Sequence, residues 1–282
     1  PAKTNVALHQ HAKRPDSAVM SATPLPASHA VGTLPGLKEP QLLAGPGGVV
    51  WLLWLEQRPQ EKGRTTALIR PFGASHQTPM ELTPAPRSLR SRVHDYGGGV
   101  LTAAVNNDQL LLVWIEAGCL WRQDWQLPEN AALQPQPLTT PVRLSLPGEG
   151  ELADGQLDQI HQRWIGIREV DGLDQLVWLP LDARDQSPQL LHQPADFAGY
   201  ACLSPDGQHL AWVEWQQPSM PWDSSSLWCA EVGSDGALFN PRQLAGETGV
   251  SVFQPQWLPD GRLLVAEDSS GWWNLMVKHP DE

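Results

Sequence analysis

The stretch Cys202-Leu203-Ser204-Pro205-Asp206-Gly207-Gln208-His209-Leu210-Ala211-Trp212-Val213 decides the fold class, and a second copy runs Gln256-Trp257-Leu258-Pro259-Asp260-Gly261-Arg262-Leu263-Leu264-Val265. In each copy an apolar segment enters Pro-Asp-Gly and another apolar segment leaves it. Proline fixes its own φ and glycine accepts positive φ, so the pattern indicates a tight turn between two antiparallel strands. The two Asp-Gly pairs lie 54 residues apart. A repeat near fifty residues is typical of β-propeller blades, which need neighbours to bury their faces.

The composition excludes long helices. The 282 residues include 27 prolines and 24 glycines. In a helix interior proline costs about 3 kcal/mol and glycine up to about 1 kcal/mol. Short strands between turns fit this spacing throughout, and the sequence therefore predicts an all-β fold.

When the spacing of the two Pro-Asp-Gly cassettes is applied to the rest of the chain, the strand and turn signals predict about five propeller blades. Tryptophans concentrate at the strand positions, which predicts aromatic packing between blades. The last blade lacks a fourth strand, so we expect a larger ring of seven or eight blades. Residues 1–36 have no periodicity and are predicted to form an extended or partly disordered arm. The predicted blades cover approximately residues 37–84, 97–140, 150–193, 199–246 and 252–282.

Charge and cysteine content limit the classes of partner. The formal net charge is −12, with 19 basic and 31 acidic residues, which argues against a nucleic-acid-binding protein. No apolar run is long enough for a secretory signal or a membrane span. The three cysteines, Cys119, Cys202 and Cys229, are odd in number and lie in apolar contexts, which favours a reducing, cytoplasmic location. An oligomer is compatible with this composition.

Known chemical motifs are missing from the sequence. It contains no Cys-x-x-Cys pair, no phosphate-binding glycine loop and no His-Glu-x-x-His helix, so we expect neither a metal nor a cofactor. No serine lies in the G-x-S-x-G context of a hydrolase nucleophile. We therefore predict no catalytic residue in this chain.

Two segments are chemically richer than a scaffold needs. The first, Arg90–Gly99, brings cations, an imidazole, a carboxylate and a phenol to the start of a strand. It is either a salt-bridged loop that locks adjacent blades or a cation-lined mouth for a peptide carboxylate, and its glycines 97–99 indicate close backbone packing. The second, Glu214–Asp223, is a hairpin insertion with exposed-type aromatic and acidic residues, as in binding surfaces. The candidate substrate-gating residues are Arg92, His94, Tyr96, Glu214, Trp222 and Asp223.

In these segments the chain resembles the amino-terminal propeller of the prolyl oligopeptidase family of serine peptidases, in the branch of acylaminoacyl peptidases and dipeptidyl aminopeptidases. Four segments carry the resemblance in their order and spacing. Where relatives commonly have glutamate, this chain has Asp95. The four segments are Leu82-Thr83-Pro84 leading into Arg92–Gly99, Leu203–Gly207 with Trp212, Pro218–Asp223 with Leu227-Trp228, and Val252–Trp257 running through Asp260-Gly261-Arg262 to Gly271–Leu275.

The resemblance implies a serine peptidase, a hydrolase in which the propeller gates and selects short peptides. It also implies an α/β-hydrolase domain with a Ser-Asp-His triad after residue 282, as the partner of this propeller. Two alternatives stay open. One is a stand-alone TolB-like propeller that acts as a protein-interaction module, and the other is a propeller enzyme with a metal in its central channel, held by inward-facing acids and histidines.

Overall fold

The structure, a computed structural model, describes residues 34–280. The predicted arm, residues 1–36, lies almost entirely outside the described residues. The described part contains 20 strands and three single-turn 3₁₀ helices, at Pro46–Gly48, Pro59–Glu61 and Val93–Asp95. Within residues 34–280 no helix is long and apolar enough to cross a membrane. The prediction of an all-β chain is confirmed.

The strands form five successive antiparallel sheets, which are the five blades of a β-propeller, as predicted. Blade 1 contains β1 (Gly36–Ala44), β2 (Val50–Arg58), β3 (Arg64–Pro71) and β4 (Met80–Glu81). Blade 2 contains β5 (Leu101–Asn106), β6 (Gln109–Glu116), β7 (Cys119–Gln126), β8 (Gln136–Pro137) and β9 (Val142–Arg143), the last paired with β7. Blade 3 contains β10 (Glu151–Asp158), β11 (Arg163–Val170), β12 (Leu173–Pro180) and β13 (Gln189–His192).

Blades 4 and 5 carry the two Pro-Asp-Gly cassettes. Blade 4 contains β14 (Phe197–Leu203), β15 (His209–Trp215), β16 (Ser226–Val232) and β17 (Leu238–Ala245). Blade 5 contains three strands, β18 (Val252–Trp257), β19 (Leu263–Glu267) and β20 (Asn274–Lys278). In the first cassette, Gly207 at φ 69° closes the turn with a 2.8 Å hydrogen bond from its N–H to the Ser204 carbonyl. The hairpins predicted from these cassettes are confirmed.

The first strands of successive blades lie side by side around the propeller axis. Each first strand begins on the side where the second strand ends, because the pairs are antiparallel. We call this side the connector face, since it carries the links between blades (82–100, 138–150, 193–196 and 246–251) and the hairpins between second and third strands. The opposite side, with both Pro-Asp-Gly turns, is the turn face.

Tryptophans fill the spaces between blades. The second strand of each of the first four blades contributes one tryptophan that is at most 1% exposed. Burial of such a side chain contributes about 4–6 kcal/mol by area, as an upper bound. Trp272 and Trp273, on the last blade, are instead 80% and 50% exposed. The four buried tryptophans are Trp51, Trp114, Trp164 and Trp212.

Candidate functional site

All six predicted site residues lie on the connector face. Arg92, His94 and Tyr96 belong to the link between blades 1 and 2. Glu214 is near the end of β15, and Trp222 and Asp223 lie in the hairpin that follows it. The structure therefore gathers residues from distant parts of the sequence on one side of the propeller, in two groups.

His94 connects the link between blades 1 and 2 to blade 3. Its backbone N–H donates to Glu169 Oε2 at 2.6 Å, and its ring Nε2 lies 2.8 Å from Asp174 Oδ1. Burial raises the pKa of Asp174, although the His94 ring opposes this shift. The interpretation of this segment as a loop that locks adjacent blades agrees with these contacts.

Backbone strain accompanies the His94 contacts. His94 and Asp95 have φ values of 48° and 62°, in the left-handed region that non-glycine residues rarely occupy. The cross-blade hydrogen bonds of His94 hold this conformation. On its other side the ring contacts Phe197 edge to face at 5.1 Å, and Phe197 stacks on Trp215 at 5.7 Å. We call the contacts of His94 with Glu169 and Asp174 the clamp. The aromatic contacts through Phe197 and Trp215 extend this clamp to blade 4.

Tyr96 follows directly after the turn at His94 and Asp95. Its side chain is 96% exposed, although its backbone N–H donates to the Val93 carbonyl at 3.1 Å. Gly97 follows at φ 79°, and a Cβ there would lie 2.8 Å from the Ser91 carbonyl oxygen. An aromatic ring on a fixed backbone loses little conformational freedom when it binds a ligand. The structure therefore shows Tyr96 as an exposed ring on a fixed turn.

Glu214 makes contacts within the fold. Its Oε1 accepts a 2.6 Å hydrogen bond from Trp212 Nε1 and lies 2.7 Å from His192 Nε2. Because Trp212 is fully buried, this carboxylate completes the hydrogen bonding of a core side chain. Through His192 of β13 and Trp212 of β15, Glu214 connects blade 3 to blade 4.

Trp222 and Asp223 lie at the tip of the hairpin in blade 4. The Trp222 side chain is 59% exposed. Asp223 Oδ2 accepts a 3.2 Å hydrogen bond from the Met220 N–H, and the Asp223 N–H donates to the Met220 carbonyl at 2.8 Å. The acid therefore shapes the loop that presents the indole.

Residues that line the central opening were missed from the sequence. Four of the five first strands carry one extra residue, where the register with the second strand shifts. Such a bulge turns the local side chain and increases the twist. At each bulge a non-glycine residue adopts φ between 49° and 56°. These residues are Glu39, Asp154, Tyr200 and Gln254.

Two of these bulge residues bind the start of β5 in blade 2. Glu39 Oε2 accepts from the N–H groups of Val100 at 3.0 Å and Leu101 at 2.9 Å. Asp154 Oδ1 accepts from the Gly99 N–H at 2.6 Å. Two carboxylates from blades 1 and 3 thus bind three consecutive N–H groups between them.

The surroundings of the opening alter the ionisation of both acids. Partial removal from water raises the pKa of Glu39, and its neighbour Asp154 raises it further. Asp154 is accessible to solvent, and partial desolvation by the surrounding protein likewise raises its pKa. Among residues 34–280 no group of three or more His, Cys, Asp or Glu side chains could hold a metal ion.

Comparison with known proteins places the fold. No protein-family model and no curated protein matches the chain. Among solved structures, a puromycin-hydrolyzing peptidase of Mycobacterium tuberculosis is 29% identical, with a TM-score of 0.72 over 92% of this chain and 39% of that one. A puromycin hydrolase is 28% identical, with a TM-score of 0.69 over 86% of this chain and 37% of that one.

A third solved structure extends the likeness at the level of fold. Prolyl oligopeptidase B of Galerina marginata is 10% identical, with a TM-score of 0.52 over 87% of this chain and 36% of that one. The resemblance to the amino-terminal propeller of the prolyl oligopeptidase family is confirmed. The chain spans well under half the length of each of these matched proteins.

Proposed function

We propose that this chain is the substrate-gating and substrate-selecting propeller of a serine oligopeptidase or exopeptidase that hydrolyses short peptides. The Ser-Asp-His triad would lie in an α/β-hydrolase domain after residue 282. The observation that carries the proposal is the match of 92% of this chain to 39% of a puromycin-hydrolyzing peptidase, at 29% identity.

Strand topology supports a position for the hydrolase domain. β1 begins on the connector face, and the fourth strand of a four-stranded meander ends on the side where its first strand begins. A domain joined to the chain after whole blades therefore attaches on the connector face. The presented side chains Tyr96 and Trp222 would then face that domain.

The central opening offers a route to such a domain. Its wall carries two acids, a phenol and an amide on bulges whose backbone is fixed by the blades. We expect an opening lined in this way to admit extended short peptides and to exclude folded proteins. Selection would follow from the side chains on the connector face that are exposed on rigid supports.

The test combines mass and active-site labelling. The native gene product is analysed by intact mass spectrometry with and without a fluorophosphonate that labels catalytic serines. We expect a mass well above the 31.0 kDa of this chain and one label per polypeptide. A native protein near that mass that stays unlabelled would overturn the proposal and would fit an interaction module instead.

A peptide length series tests the gating role. Native enzyme that has not been treated with the fluorophosphonate is assayed with peptides of increasing length and with an unfolded polypeptide. Gating predicts that kcat/KM falls steeply once the substrate no longer passes the opening. Equal rates for short peptides and long polypeptides would contradict a gating propeller.

A further inference from the structure

A cavity of about 490 Å³ opens on the connector face, where blades 2 and 3 meet the link between blades 1 and 2. One wall is segment 86–92 of that link, and the other is the hairpin turn Glu116–Gly118 with Glu151 at the start of β10. Its volume is within the range of small-molecule sites. Its charged side chains set what it can bind.

The segment 88–93 has two faces. Buried and exposed side chains alternate along it, and the inward set is 2% to 7% exposed. The outward set lines the cavity. The inward residues are Leu89, Ser91 and Val93, and the outward residues are Ser88, Arg90 and Arg92.

The backbone of this segment is fixed. The Leu89 N–H donates to the Thr65 carbonyl and the Arg90 N–H to the Ile115 carbonyl, both at 3.0 Å. The two arginines therefore project into the cavity from a backbone pinned to blades 1 and 2. Two guanidinium groups two residues apart can bind one carboxylate together.

Other arginines of blade 1 and the following link form ion pairs, whereas Arg90 and Arg92 do not. Arg58, Arg64 and Arg87 all form ion pairs with glutamates at 3.2 Å or less. Among the described residues, the guanidinium groups of Arg90 and Arg92 have no ion pair or hydrogen bond. Their charge is available to a ligand.

The cavity also contains an incompletely paired carboxylate. Both Glu116 oxygens are occupied, Oε1 by the Ser88 N–H at 3.0 Å and Oε2 by Arg87 at 2.6 Å. Glu151 Oε2, by contrast, is buried and has no hydrogen-bond partner in the described part of the chain. A buried acceptor without a partner destabilises the fold. No hydrogen bond or ion pair within residues 34–280 uses the other oxygen, Oε1, either, so the charge of the Glu151 carboxylate is available to a cation in the cavity.

We propose that this cavity binds a small zwitterion, a free amino acid or a dipeptide. The ligand carboxylate lies on Arg90 and Arg92, and its ammonium group lies on Glu151. The origin of the ligand, as a substrate or product of peptide cleavage, rests on the proposed function. The binding itself is a property of this chain.

Calorimetric titration of the 282-residue chain with three probes tests the assignment. The first probe, Ala-Ala, has both ends free. The second, N-acetyl-Ala-Ala, has a blocked amino end, and the third, Ala-Ala amide, has a blocked carboxyl end. We expect Ala-Ala to bind at least about tenfold more tightly than either blocked probe, since each blocked end loses a charge-assisted hydrogen bond.

Variants assign each end to its residues. Arg90→Gln and Arg92→Gln should each weaken Ala-Ala binding by about 10- to 100-fold, and Glu151→Gln should abolish the preference for Ala-Ala over N-acetyl-Ala-Ala. Arg262→Gln is the matched control, because this arginine is exposed on the turn face and pairs with Asp260. It should bind Ala-Ala like the unmodified chain.

Several results would overturn the assignment. These are no binding of Ala-Ala at millimolar concentration, equal binding of all three probes, or an equal loss in Arg262→Gln. Circular dichroism melting verifies that each variant is folded, and the blocked probes test the ammonium contact even if Glu151→Gln unfolds. Failure here leaves fluorophosphonate labelling unaffected, and failure of labelling leaves these titrations unaffected.

Discussion

The third strands of blades 4 and 5 hold equivalent positions but differ in burial. In β16 Leu227, Cys229 and Ala230 are at most 2% exposed, whereas in β20 Leu275, Met276 and Val277 are 39–71% exposed. Both strands pair in regular antiparallel register with the preceding strand. The difference arises from the neighbours, since β16 is covered by β17 and blade 5 while β20 has no fourth strand beside it. Burial in this fold is thus supplied between elements.

The largest expected effect comes from the same substitution in the two strands. Leu227→Ala should lower the free energy of unfolding by about 2–5 kcal/mol, because it opens a cavity in the core. Leu275→Ala, at the equivalent position of β20, should change it by less than about 0.5 kcal/mol. Urea denaturation of both variants measures the difference. Equal losses would show that the third strands do not differ in this way.

The same comparison between buried and exposed positions can be made in the link between blades 1 and 2, at His94 and Tyr96. His94→Asn keeps a residue that tolerates the left-handed backbone but removes the contact to Asp174, whose side chain is only 2% exposed. We expect a loss of about 1–3 kcal/mol in the free energy of unfolding. Tyr96→Ala, two residues away and exposed, is the control and should stay within about 0.5 kcal/mol of the parent chain. A stable His94→Asn variant would argue against the clamp.

The contact between blades 2 and 3 is tested by adding one methyl group. A Cβ at Gly98 would lie 2.7 Å from the Ala153 Cβ, so Gly98→Ala should cost about 1–3 kcal/mol through overpacking. At Gly199 the nearest atoms would be 3.5 Å away, in ordinary contact. Gly199→Ala is therefore the matched control. Thermal melting of the two variants distinguishes them, and equal melting temperatures would contradict close packing at Gly98.

The smallest expected effect is a change in pH dependence. Because burial raises the pKa of Glu39 above its ordinary value of 4.5, the folded chain holds this proton more tightly than the unfolded chain. Relative to Glu39→Gln, the parent chain should therefore lose stability as the pH rises from 4.5 through the raised pKa, and be favoured below 4.5. Urea midpoints at several pH values measure this. Parallel pH profiles for the two chains would contradict it.

Local sequence signals predicted much of the fold. The turn at Ser204–Gly207 is determined within the five residues Ser204–Gln208, since the Asp206 carboxylate accepts from Ser204 Oγ at 2.6 Å and from the Gln208 N–H at 3.0 Å. Such short-range chemistry is visible in any single sequence. The number of blades follows from the repetition of these signals.

The sequence predicted which residues belong to the candidate site but not which contacts they make. The side chains that His94 contacts lie 75 and 80 positions further along the chain, and no local pattern indicates that pairing. The Glu214 contact to Trp212 has a spacing of two, but whether it points inward depends on which strand face the next blade covers. The role of each candidate therefore required the three-dimensional arrangement.

One signal for the central opening was available but weak. Glu39, Asp154 and Gln254 are each followed two positions later by glutamine, whereas Tyr200 is followed by Cys202. An alignment of the five first strands on one another would have brought these positions together. The bulge itself comes from strand pairing, which such an alignment does not include.

At the repeated bulge, the backbone that shapes the central opening can be distinguished from the side chains that line it. Four positions share the same register shift and a φ of 49–56°, while their side chains are two acids, a phenol and an amide. That backbone therefore does not depend on any one of these chemistries. In evolution or in the laboratory, Tyr200 and Gln254 can be exchanged to change the chemistry of the opening, whereas Glu39 and Asp154 are constrained because they also hold the start of blade 2.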